Sequence, residues 1–457
     1  MLSRAMCQQA RLARDARFDG LFFTAVRSTG IYCRSVCPAK APAESQVNYY
    51  ASAAAASQAG FRPCLRCRPD SAPGSPAWQG TQTTLQRALR LIDEGSLQQH
   101  TQADLALRLG ITDRYLRKLF QQQLGVTPTQ YALNQQVLFA KKLLHETHLP
   151  VSCIAYQAGF NSVRRFNDAF VKQLRLNPSA IRRHHPEHAN NGLKLELSYR
   201  PPLAWDSMLT FWQARTLTGV EWVEADRYGR TFSYLQHAGW FEVAPKTASS
   251  LTLTLHWSGR RGLSSLVQKL RRLLDLDTNM LQIEQQLASH PLFTEQLLSG
   301  LRIPGLWNTW EAGVRAILGQ QVSVAGARTQ LNRLVQELGT AVTDDKRLFP
   351  TPEAVFASQL AMIKVPALRR QTLRDLAAFV LAQPEASPEQ WLDIKGIGPW
   401  TVSYAKMRGQ SDSDIWLAGD LGIQKALARA DKQTVNTGTL APWRSYATFQ
   451  LWLQKGG

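Results

Sequence analysis

Cysteine is scarce in this chain, and long hydrophobic runs are lacking. The 457 residues contain six cysteines, and none of them follows Cys153. The part of the chain beyond Cys153 therefore cannot hold a cysteine-ligated iron–sulfur cluster. The longest apolar runs are far shorter than a membrane span, and Met1–Asp19 has no apolar core. These absences exclude a membrane helix and a signal peptide, so we expect a soluble cytoplasmic protein.

Acidic residues are also in short supply. Asp and Glu number 34 against 53 Lys and Arg, which gives a net charge of +19. Residues 1–190 hold 24 basic and 11 acidic residues, whereas residues 191–457 hold 29 and 23. A basic first half favours a polyanionic partner such as nucleic acid, although a merely soluble basic protein has the same composition. At this length we expect two to four domains.

Four of the cysteines form two close pairs. Three residues separate Cys33 from Cys37, and two separate Cys64 from Cys67. Four thiolates at such spacing can close a tetrahedral zinc site, so Zn²⁺ is the expected cofactor. Arginines in the same segment favour ionised thiols and attract phosphate. These arginines are Arg34, Arg62, Arg66 and Arg68.

The cysteine segment, over about residues 15–70, closely resembles the N-terminal domain of Ada-type methylphosphotriester-DNA methyltransferases. The motifs that carry the resemblance are Thr29–Cys37 and Gly60–Cys67. The resemblance implies that Cys33 is a methyl acceptor as well as a zinc ligand, with Cys37, Cys64 and Cys67 completing the site. Each molecule would then be consumed by one methyl group. A purely structural zinc site is the alternative.

After a Ser-, Pro- and Gly-rich linker at 71–76, the chain repeats itself at a spacing of 50 residues. Thr112 and Ser162 are expected N-caps, and a short helix ending in glycine precedes each of them. Each unit is thus a helix, a glycine turn and a second helix, near 112–122 and 162–173. The outward positions of the second helices are basic: Arg114, Arg117 and Lys118, then Arg164, Arg165 and Lys172.

This repeat resembles the AraC-type tandem helix-turn-helix. The resemblance implies that the two second helices lie in successive major grooves of DNA. A pair of helical hairpins with solvated faces is the alternative. Further along, residues 193–199, 231–234 and 251–256 alternate between apolar and polar side chains, which predicts a small antiparallel sheet. From Leu263 onward, helical periodicity dominates.

The stretch Leu392–Trp400 places Gly396 and Gly398 one residue apart, before an apolar segment with helical spacing. A glycine turn that leads into a helix N-terminus presents N–H groups to a phosphate. Asp420 follows 22 residues after Gly398. Turn, spacing and aspartate resemble the helix-hairpin-helix DNA glycosylases, and the flanking residues narrow this to the AlkA-like 3-methyladenine glycosylase II family. The match covers most of the chain from residue 192, including 313–323 and 442–446.

The glycosylase resemblance implies cleavage of the N-glycosidic bond of an alkylated base that is flipped out of the duplex. Asp420 would stabilise the oxocarbenium-like sugar, although an aspartate there could instead cap a helix beginning near Leu421. Electron-rich rings hold a cationic base well. The rings implied by the resemblance are Phe211, Trp400, Tyr404 and Trp452, which could also be ordinary core aromatics.

Several positions refine this expectation. Trp400 stands where bifunctional relatives carry a catalytic lysine, so we expect a monofunctional glycosylase without strand-cleaving lyase activity. Gln321 stands at the family's leucine wedge, and Leu421 replaces an aromatic residue. The DNA contacts expected in this half are Gly396, Gly398, Gln320 and Gln321.

The predicted architecture is multidomain and mainly α. It comprises a small α/β zinc domain (1–75), a tandem helix-turn-helix (82–186), an antiparallel-sheet subdomain (192–285) and a helix-hairpin-helix glycosylase domain (286–457). The predicted function is DNA alkylation repair and response: excision of bases such as 3-methyladenine, methyl transfer to Cys33, and transcription regulation. We expect a monomer in the nucleoid, with double-stranded DNA and RNA polymerase as partners and no membrane. The alternative is an alkylation-sensing regulator with an inactive glycosylase module.

Overall fold

The structure, a computed structural model, describes residues 2–67, 69, 83–182, 192–294, 296–429 and 436–453. The linker predicted at 71–76 and Arg68 lie outside these ranges. Among the helices within them, none has the length and apolar character needed to cross a membrane.

The first module is a small α/β domain. Its sheet has the order β3-β1-β2-β4, formed by β1 (Phe23–Val26), β2 (Ile31–Arg34), β3 (Val47–Tyr50) and β4 (Arg62–Pro63). Helix α1 (Arg4–Leu12) precedes the sheet, and α2 (Ala53–Gln58) lies between β3 and β4. Strands β2 and β4 run parallel, with Tyr32 opposite Pro63. Because Cys33 and Cys64 directly follow these two residues, the pairing brings the two cysteine motifs together.

The second module is helical and has the predicted repeat. Its helices are α3 (Thr83–Asp93), α4 (Ser96–Gln99), α5 (Gln102–Arg108), α6 (Asp113–Leu124), α7 (Pro128–Glu146), α8 (Val151–Gln157), α9 (Val163–Leu174) and α10 (Pro178–Ile181). The predicted caps are confirmed, since the hydroxyls of Thr112 and Ser162 each accept the N–H of the third helical residue. Gly110 and Gly159 have φ of +70° and +91°, so each short helix ends in a left-handed turn. Long helix α7 joins the two units.

The third module begins with an antiparallel sheet of order β5-β9-β8-β7-β6. Its strands are β5 (Leu193–Ser198), β6 (Glu221–Glu224), β7 (Arg227–Tyr234), β8 (His237–Thr247) and β9 (Ser250–Trp257). The three predicted strands are confirmed as β5, β7 and β9. Sequence analysis missed β6 and β8, because Gly239, Pro245 and several charged residues interrupt their alternation. Helices α11 (Trp205–Gln213), α12 (Leu263–Leu273) and α13 (Met280–Ala288) accompany the sheet.

The remaining chain is helical, as its periodicity predicted. It forms α14 (Thr309–Gly319), α15 (Val324–Leu338), α16 (Pro352–Ala357), α17 (Ala367–Ala382), α18 (Pro399–Gly409), α19 (Leu421–Arg429) and α20 (Arg444–Leu453). Helix α14 packs against both α17 and α18 around a buried cluster that includes Val314, Leu376, Trp391 and Val402. The hairpin at 394–398 therefore sits directly on the core that α14 helps to form.

Buried charges connect α14 to the sheet. Arg230 of β7 contacts Glu311 (2.8 Å), and Arg315 contacts Glu221 (2.6 Å) and Glu311 (2.8 Å). Burial disfavours the charged form of Glu311, but attraction to Arg230 and Arg315 outweighs this effect and lowers the pKa of Glu311. Each buried charge thus has an opposite partner, and the network fixes the direction of α14 relative to the sheet.

The second helix-turn-helix unit and the sheet share a hydrophobic core. One buried cluster includes Leu143, Ile154 and Phe166 of the helices together with Leu195 and Leu253 of the sheet. Hydrogen bonds reinforce this interface at two places, which are the Gln157 amide and Glu196 in the middle of β5. The Gln157 side chain donates to the Gly259 carbonyl (2.7 Å) and accepts the Leu263 N–H (3.2 Å). Glu146 accepts the N–H of Glu196 (3.0 Å), and Lys142 donates to the Glu196 carbonyl.

The zinc module also contacts both of its neighbours. The fully buried Lys141 of α7 donates to the carbonyl of Cys64 (3.5 Å), and Ser52 donates to the carbonyl of Leu124 (3.4 Å). Arg200, just after β5, donates to the carbonyl of Asp19 (3.3 Å). In each of these contacts, a side chain of one module donates a hydrogen bond to a backbone carbonyl of the other.

Candidate functional sites

The four motif cysteines converge on one point of the first module. Their Sγ atoms all lie within 4.8 Å of one another. Thiolates bound tetrahedrally at about 2.3 Å from zinc are separated by about 3.8 Å, so the cluster fits this ion with little movement. The backbone N–H of Arg34 also donates to Cys67 Sγ (3.3 Å), as is common for an ionised thiol ligand. Cys33, Cys37, Cys64 and Cys67 are the residues that would hold the metal.

Exposure divides these ligands into two pairs. Cys64 and Cys67 are buried, whereas Cys33 and Cys37 are half-buried. A methyl group can therefore approach the second pair only. The geometry does not distinguish Cys33 from Cys37, so the choice of Cys33 as acceptor stays a prediction that rests on the motif.

The arginines near the cluster differ in their roles. Arg34 pairs with Asp19 (Nε to Oδ1, 2.9 Å) and donates to the Cys67 carbonyl (3.2 Å), so it supports the cluster rather than pointing to solvent. Arg66 is exposed and Arg62 is half-exposed. Of the described arginines predicted to attract phosphate, these two are accessible to DNA.

The second helices of the repeat present the predicted basic surface. Arg114, Arg117, Lys118, Arg164 and Arg165 are all exposed on α6 and α9. Sequence analysis missed two exposed apolar side chains on the same helices, which are Tyr115 (50% exposed) and Val171 (42%). Apolar groups on a recognition helix can contact thymine methyl groups. The sequence contains a signal for them, because helical spacing places both apolar residues on the outward, polar face of their helix.

The hairpin glycines serve different purposes. Gly396 has φ of +94°, and a Cβ there would lie 2.3 Å from Thr372 Oγ1, so the turn requires glycine. Gly398 is the N-cap of α18 with φ of −115°, and no atom lies within 4 Å of the site of its missing Cβ. Only Gly396 therefore needs the left-handed backbone of the turn, because the backbone of Gly398 is extended. Its free space instead leaves the helix N-terminus open to a phosphate.

The two predicted glutamines have different environments. The Gln320 side-chain amide donates to the Gly396 carbonyl (3.0 Å) and to the Thr401 hydroxyl (3.0 Å), so it fastens α14 to the hairpin. Gln321 lies just beyond the end of α14, is exposed and has a left-handed φ of +57°. Gln320 thus positions the hairpin, whereas the insertion of Gln321 into DNA stays a prediction.

Asp420 accepts hydrogen bonds from two indoles and two backbone amides. Trp400 Nε1 donates to Oδ2 (3.2 Å), and Trp452 Nε1 donates to Oδ1 (3.1 Å). Oδ1 also accepts the N–H groups of Gly422 (2.8 Å) and Ile423 (3.2 Å). The helix-cap interpretation is therefore confirmed. The catalytic role of Asp420 stays a prediction, for a carboxylate that lies among aromatic rings. The four donors hold it in one orientation.

The predicted rings form one connected group. Trp400 stacks on Tyr404 (centroids 5.4 Å apart), and Tyr404 lies 6.3 Å from Trp452. Sequence analysis missed Phe449, one helical turn before Trp452, which links Trp452 (5.1 Å) to Phe211 (5.1 Å). Trp400, Tyr404 and Trp452 are half-buried and can line a pocket. Phe211 is only 2% exposed, so almost none of its surface is open to a base.

Two arginines complete this group, and sequence analysis missed both. The Arg215 guanidinium carbon lies 3.8 Å from the centroid of Phe211, and that of Arg408 lies 4.9 Å from it. Arg408 also donates to the Tyr404 hydroxyl (3.3 Å). For Arg408 a signal was available, because it follows Tyr404 by four residues on α18 and so shares its helix face. Arg215 lies in the turn after α11, where helical spacing gives no such signal.

Comparison with known proteins places each module. Family models match residues 6–70 as the metal binding domain of Ada, residues 105–184 as a helix-turn-helix domain and residues 194–308 as the AlkA N-terminal domain. A 3-methyladenine DNA-glycosylase from Archaeoglobus fulgidus superposes with a TM-score of 0.50 at 18% identity, over 56% of this chain and 97% of that one. The fold and the sites thus define a composite protein, with an Ada-type zinc domain, an AraC-type regulator and a helix-hairpin-helix glycosylase fold.

Two curated relatives extend this result to the whole chain. A probable bifunctional transcriptional activator/DNA repair enzyme AlkA of Mycobacterium tuberculosis is 34% identical over 98% of this chain and 95% of its own. DNA-3-methyladenine glycosylase 2 of Escherichia coli is 31% identical over 57% of this chain and 97% of its own. The chain belongs to the family of bifunctional transcriptional activator/DNA repair enzymes of the AlkA type. Its cysteine cluster is an Ada-type Zn²⁺ site.

Proposed function

We propose that this protein repairs alkylated DNA by two chemistries and regulates transcription in response to the damage. The first chemistry is excision of alkylated bases such as 3-methyladenine from double-stranded DNA, without cleavage of the strand. The observation that carries this proposal is Asp420, whose carboxylate is held by Trp400 and Trp452 at an aromatic pocket. The relationship to DNA-3-methyladenine glycosylase 2 supports it.

In the proposed excision, Asp420 stabilises the positive charge that develops on the deoxyribose as the base departs. Trp400, Tyr404 and Trp452 hold the flipped base, while Phe211 supports them from behind. Gly396, Gly398, Gln320 and Gln321 form or position the DNA-contacting surface. Trp400 leaves no lysine at the position of a Schiff base, so an intact abasic site remains.

The second chemistry is methyl transfer from a DNA methylphosphotriester to Cys33. Zinc, when bound, keeps the ligand thiols ionised at neutral pH. The Cys33 thiolate attacks the methyl carbon, the C–O bond breaks, and the products are a phosphodiester anion and S-methylcysteine. The thioether has no ready route back, so each chain accepts one methyl group. The match of residues 6–70 to the metal binding domain of Ada supports this step.

The regulatory part of the proposal concerns the repeat. Helices α6 and α9 would read promoter DNA through Arg114, Arg117, Lys118, Arg164 and Arg165, and RNA polymerase would be the partner of an activator. The proposed domains are a zinc domain at 1–75, a tandem helix-turn-helix at 82–186, a sheet subdomain at 192–285 and a glycosylase domain at 286–457. We propose that the protein works as a monomer, since one chain carries two recognition helices, and acts at the cytoplasmic nucleoid.

The deciding experiment follows two products after incubation with methylated duplex DNA. We compare the wild type with Asp420→Asn and with Asp206→Asn, a control at an exposed carboxylate of α11. Asparagine caps helices as well as aspartate does, so the α19 cap survives while the negative charge is lost. We expect release of free 3-methyladenine to fall about 100-fold or more in Asp420→Asn alone. Undiminished release by Asp420→Asn would instead support a regulator whose glycosylase module does not use this carboxylate.

The same samples test methyl transfer by mass spectrometry. We expect the peptide that contains Cys33 to gain about 14 Da, one methylene, in the wild type and in Asp420→Asn. Cys33→Ser should abolish the gain and leave base release intact. A methyl group found on Cys37 would contradict the assignment of Cys33. If no cysteine peptide gains mass, the zinc site is structural only.

A further inference from the structure

A half-buried cation, Arg215, lies against the aromatic group. The Arg215 guanidinium carbon lies 3.8 Å from the centre of the Phe211 ring, and Arg215 also donates to the Phe211 carbonyl (3.2 Å). This position, close to the ring face, is where a cation–π contact is strongest. Arg215 is half-buried, whereas Phe211 and Arg408 are almost completely covered. Of these three residues, Arg215 is therefore the one with the most accessible side chain.

Arg215 keeps its charge in this environment. Burial lowers the pKa of Arg215 to about 10, although interaction with Tyr404 opposes the shift. The guanidinium is consequently protonated at neutral pH. The neighbouring cation Arg408 is engaged with the Tyr404 hydroxyl and with the carbonyl of Pro304. Among the described residues, the Arg215 guanidinium donates to the Phe211 carbonyl and to no other acceptor, so its remaining N–H groups can meet a ligand.

A fixed cation acts in opposite directions on the two kinds of damaged base. N-alkylated purines such as 7-methylguanine carry a positive charge in DNA, so a guanidinium beside them is repulsive. When the glycosidic C1′–N bond breaks, its electron pair passes to the cationic base and neutralises it. A neutral base such as hypoxanthine takes the same electron pair and leaves as an anion. A guanidinium next to that base stabilises the charge that develops during bond cleavage.

We propose that Arg215 is a specificity-determining residue, which enables the pocket to excise neutral bases at the expense of binding cationic ones. The inference rests on the proposed glycosylase function and adds a leaving-group role to the sugar-stabilising role of Asp420. In the step, the C1′–N bond breaks and its electrons pass to the base. Water adds to C1′ and loses a proton to solvent, and the anionic base takes a proton from solvent. Arg215 keeps its own protons throughout.

The test compares two lesions in one duplex sequence under single-turnover conditions. The substrates carry hypoxanthine or 7-methylguanine, and the proteins are the wild type, Arg215→Gln, Arg215→Lys and a control, Arg227→Gln. Arg227 is an exposed arginine of β7 that lies 4.0 Å from Glu242, so its loss should change neither rate. The quantity of interest is the ratio of the two excision rates, because general damage to the fold lowers both rates alike and leaves their ratio unchanged.

We expect Arg215→Gln to slow hypoxanthine excision by about 10- to 100-fold. Excision of 7-methylguanine should stay within about threefold of the wild type or increase, since the lost charge is not needed there. Arg215→Lys should recover part of the hypoxanthine rate, because an ammonium retains the charge without the planar fork.

Two results would overturn the proposal. One is an equal loss on both substrates, which would make Arg215 a structural residue only. The other is an unchanged hypoxanthine rate in Arg215→Gln. The glycosylase function is judged separately, by whether the wild type releases 7-methylguanine at all.

Discussion

Asp420 caps a helix and also lies among the aromatic rings of the candidate site. Its carboxylate caps α19 through two backbone N–H groups and accepts two indole N–H groups at the pocket. A cap is a local feature, so the sequence can suggest it from the residues that follow. The indole donors lie 20 residues before and 32 residues after Asp420, and only the folded chain brings them together. Motif resemblance therefore suggested the ring types but not their bonds to the carboxylate.

Gly396 and Gly398 permit a paired test at the residue scale. Gly396→Ala places a Cβ against Thr372 at a positive φ, so we expect a loss of about 1–3 kcal/mol in unfolding free energy. Gly398→Ala meets open space at an extended φ and should change stability by less than about 0.5 kcal/mol. Its effect should fall on DNA affinity, because a methyl group then stands at the helix N-terminus. Denaturant titrations measure the unfolding free energy, and duplex-binding curves measure the DNA affinity. If Gly396→Ala and Gly398→Ala destabilise the protein equally, the different roles assigned to the two glycines are wrong.

At the scale of elements, the caps, the repeat and the hairpin were predictable because their signals lie within a few residues. The predicted helices near 112–122 and 162–173 became Asp113–Leu124 and Val163–Leu174. What could not be predicted is how α14 is oriented. Its partners Arg230 and Glu221 come from the sheet, 81 and 94 residues before Glu311 and Arg315, and no local pattern links them.

That network supports a prediction about stability. Replacing Glu311 with Gln leaves Arg230 and Arg315 buried with less opposite charge, which we expect to cost about 3–5 kcal/mol in unfolding free energy. The pKa of Glu311 is lowered by folding from its usual 4.5, so its contribution is complete above that value and lost as the pH falls further. Thermal melts between acidic and neutral pH should therefore show the two proteins converging at low pH. A constant difference would argue against an ionised Glu311.

At the scale of the whole molecule, the second helix-turn-helix unit and the glycosylase sheet form one buried cluster. The basic first half and the separate motifs suggested modules joined by linkers. Packing between modules depends on surfaces that only the assembled elements create, so composition and periodicity carry no signal for it. The family models likewise end near 184 and begin again at 194, although the hydrophobic core runs across that boundary.

The shared core predicts common unfolding. Amides of α8, α9 and β9 should exchange hydrogen with one opening free energy, because these elements lose their core together. Gln157→Met removes two hydrogen bonds across the interface and should lower that common value by about 1–3 kcal/mol. Hydrogen exchange followed by mass spectrometry measures it. Protection lost from α8 and α9 while β9 is unaffected would show that the two parts open independently.

The interface at Gln157 determines how truncating mutations should differ from point mutations. A nonsense mutation in the glycosylase half would leave the second helix-turn-helix unit without the sheet that covers Leu143, Ile154 and Phe166. The truncated regulator would then expose an apolar face and become a target for proteases. Loss of excision through truncation should therefore abolish the alkylation response as well, whereas a missense change at Asp420 should separate the two phenotypes. Genetic screens for repair-deficient but inducible strains should yield point mutations and not stop codons in this gene.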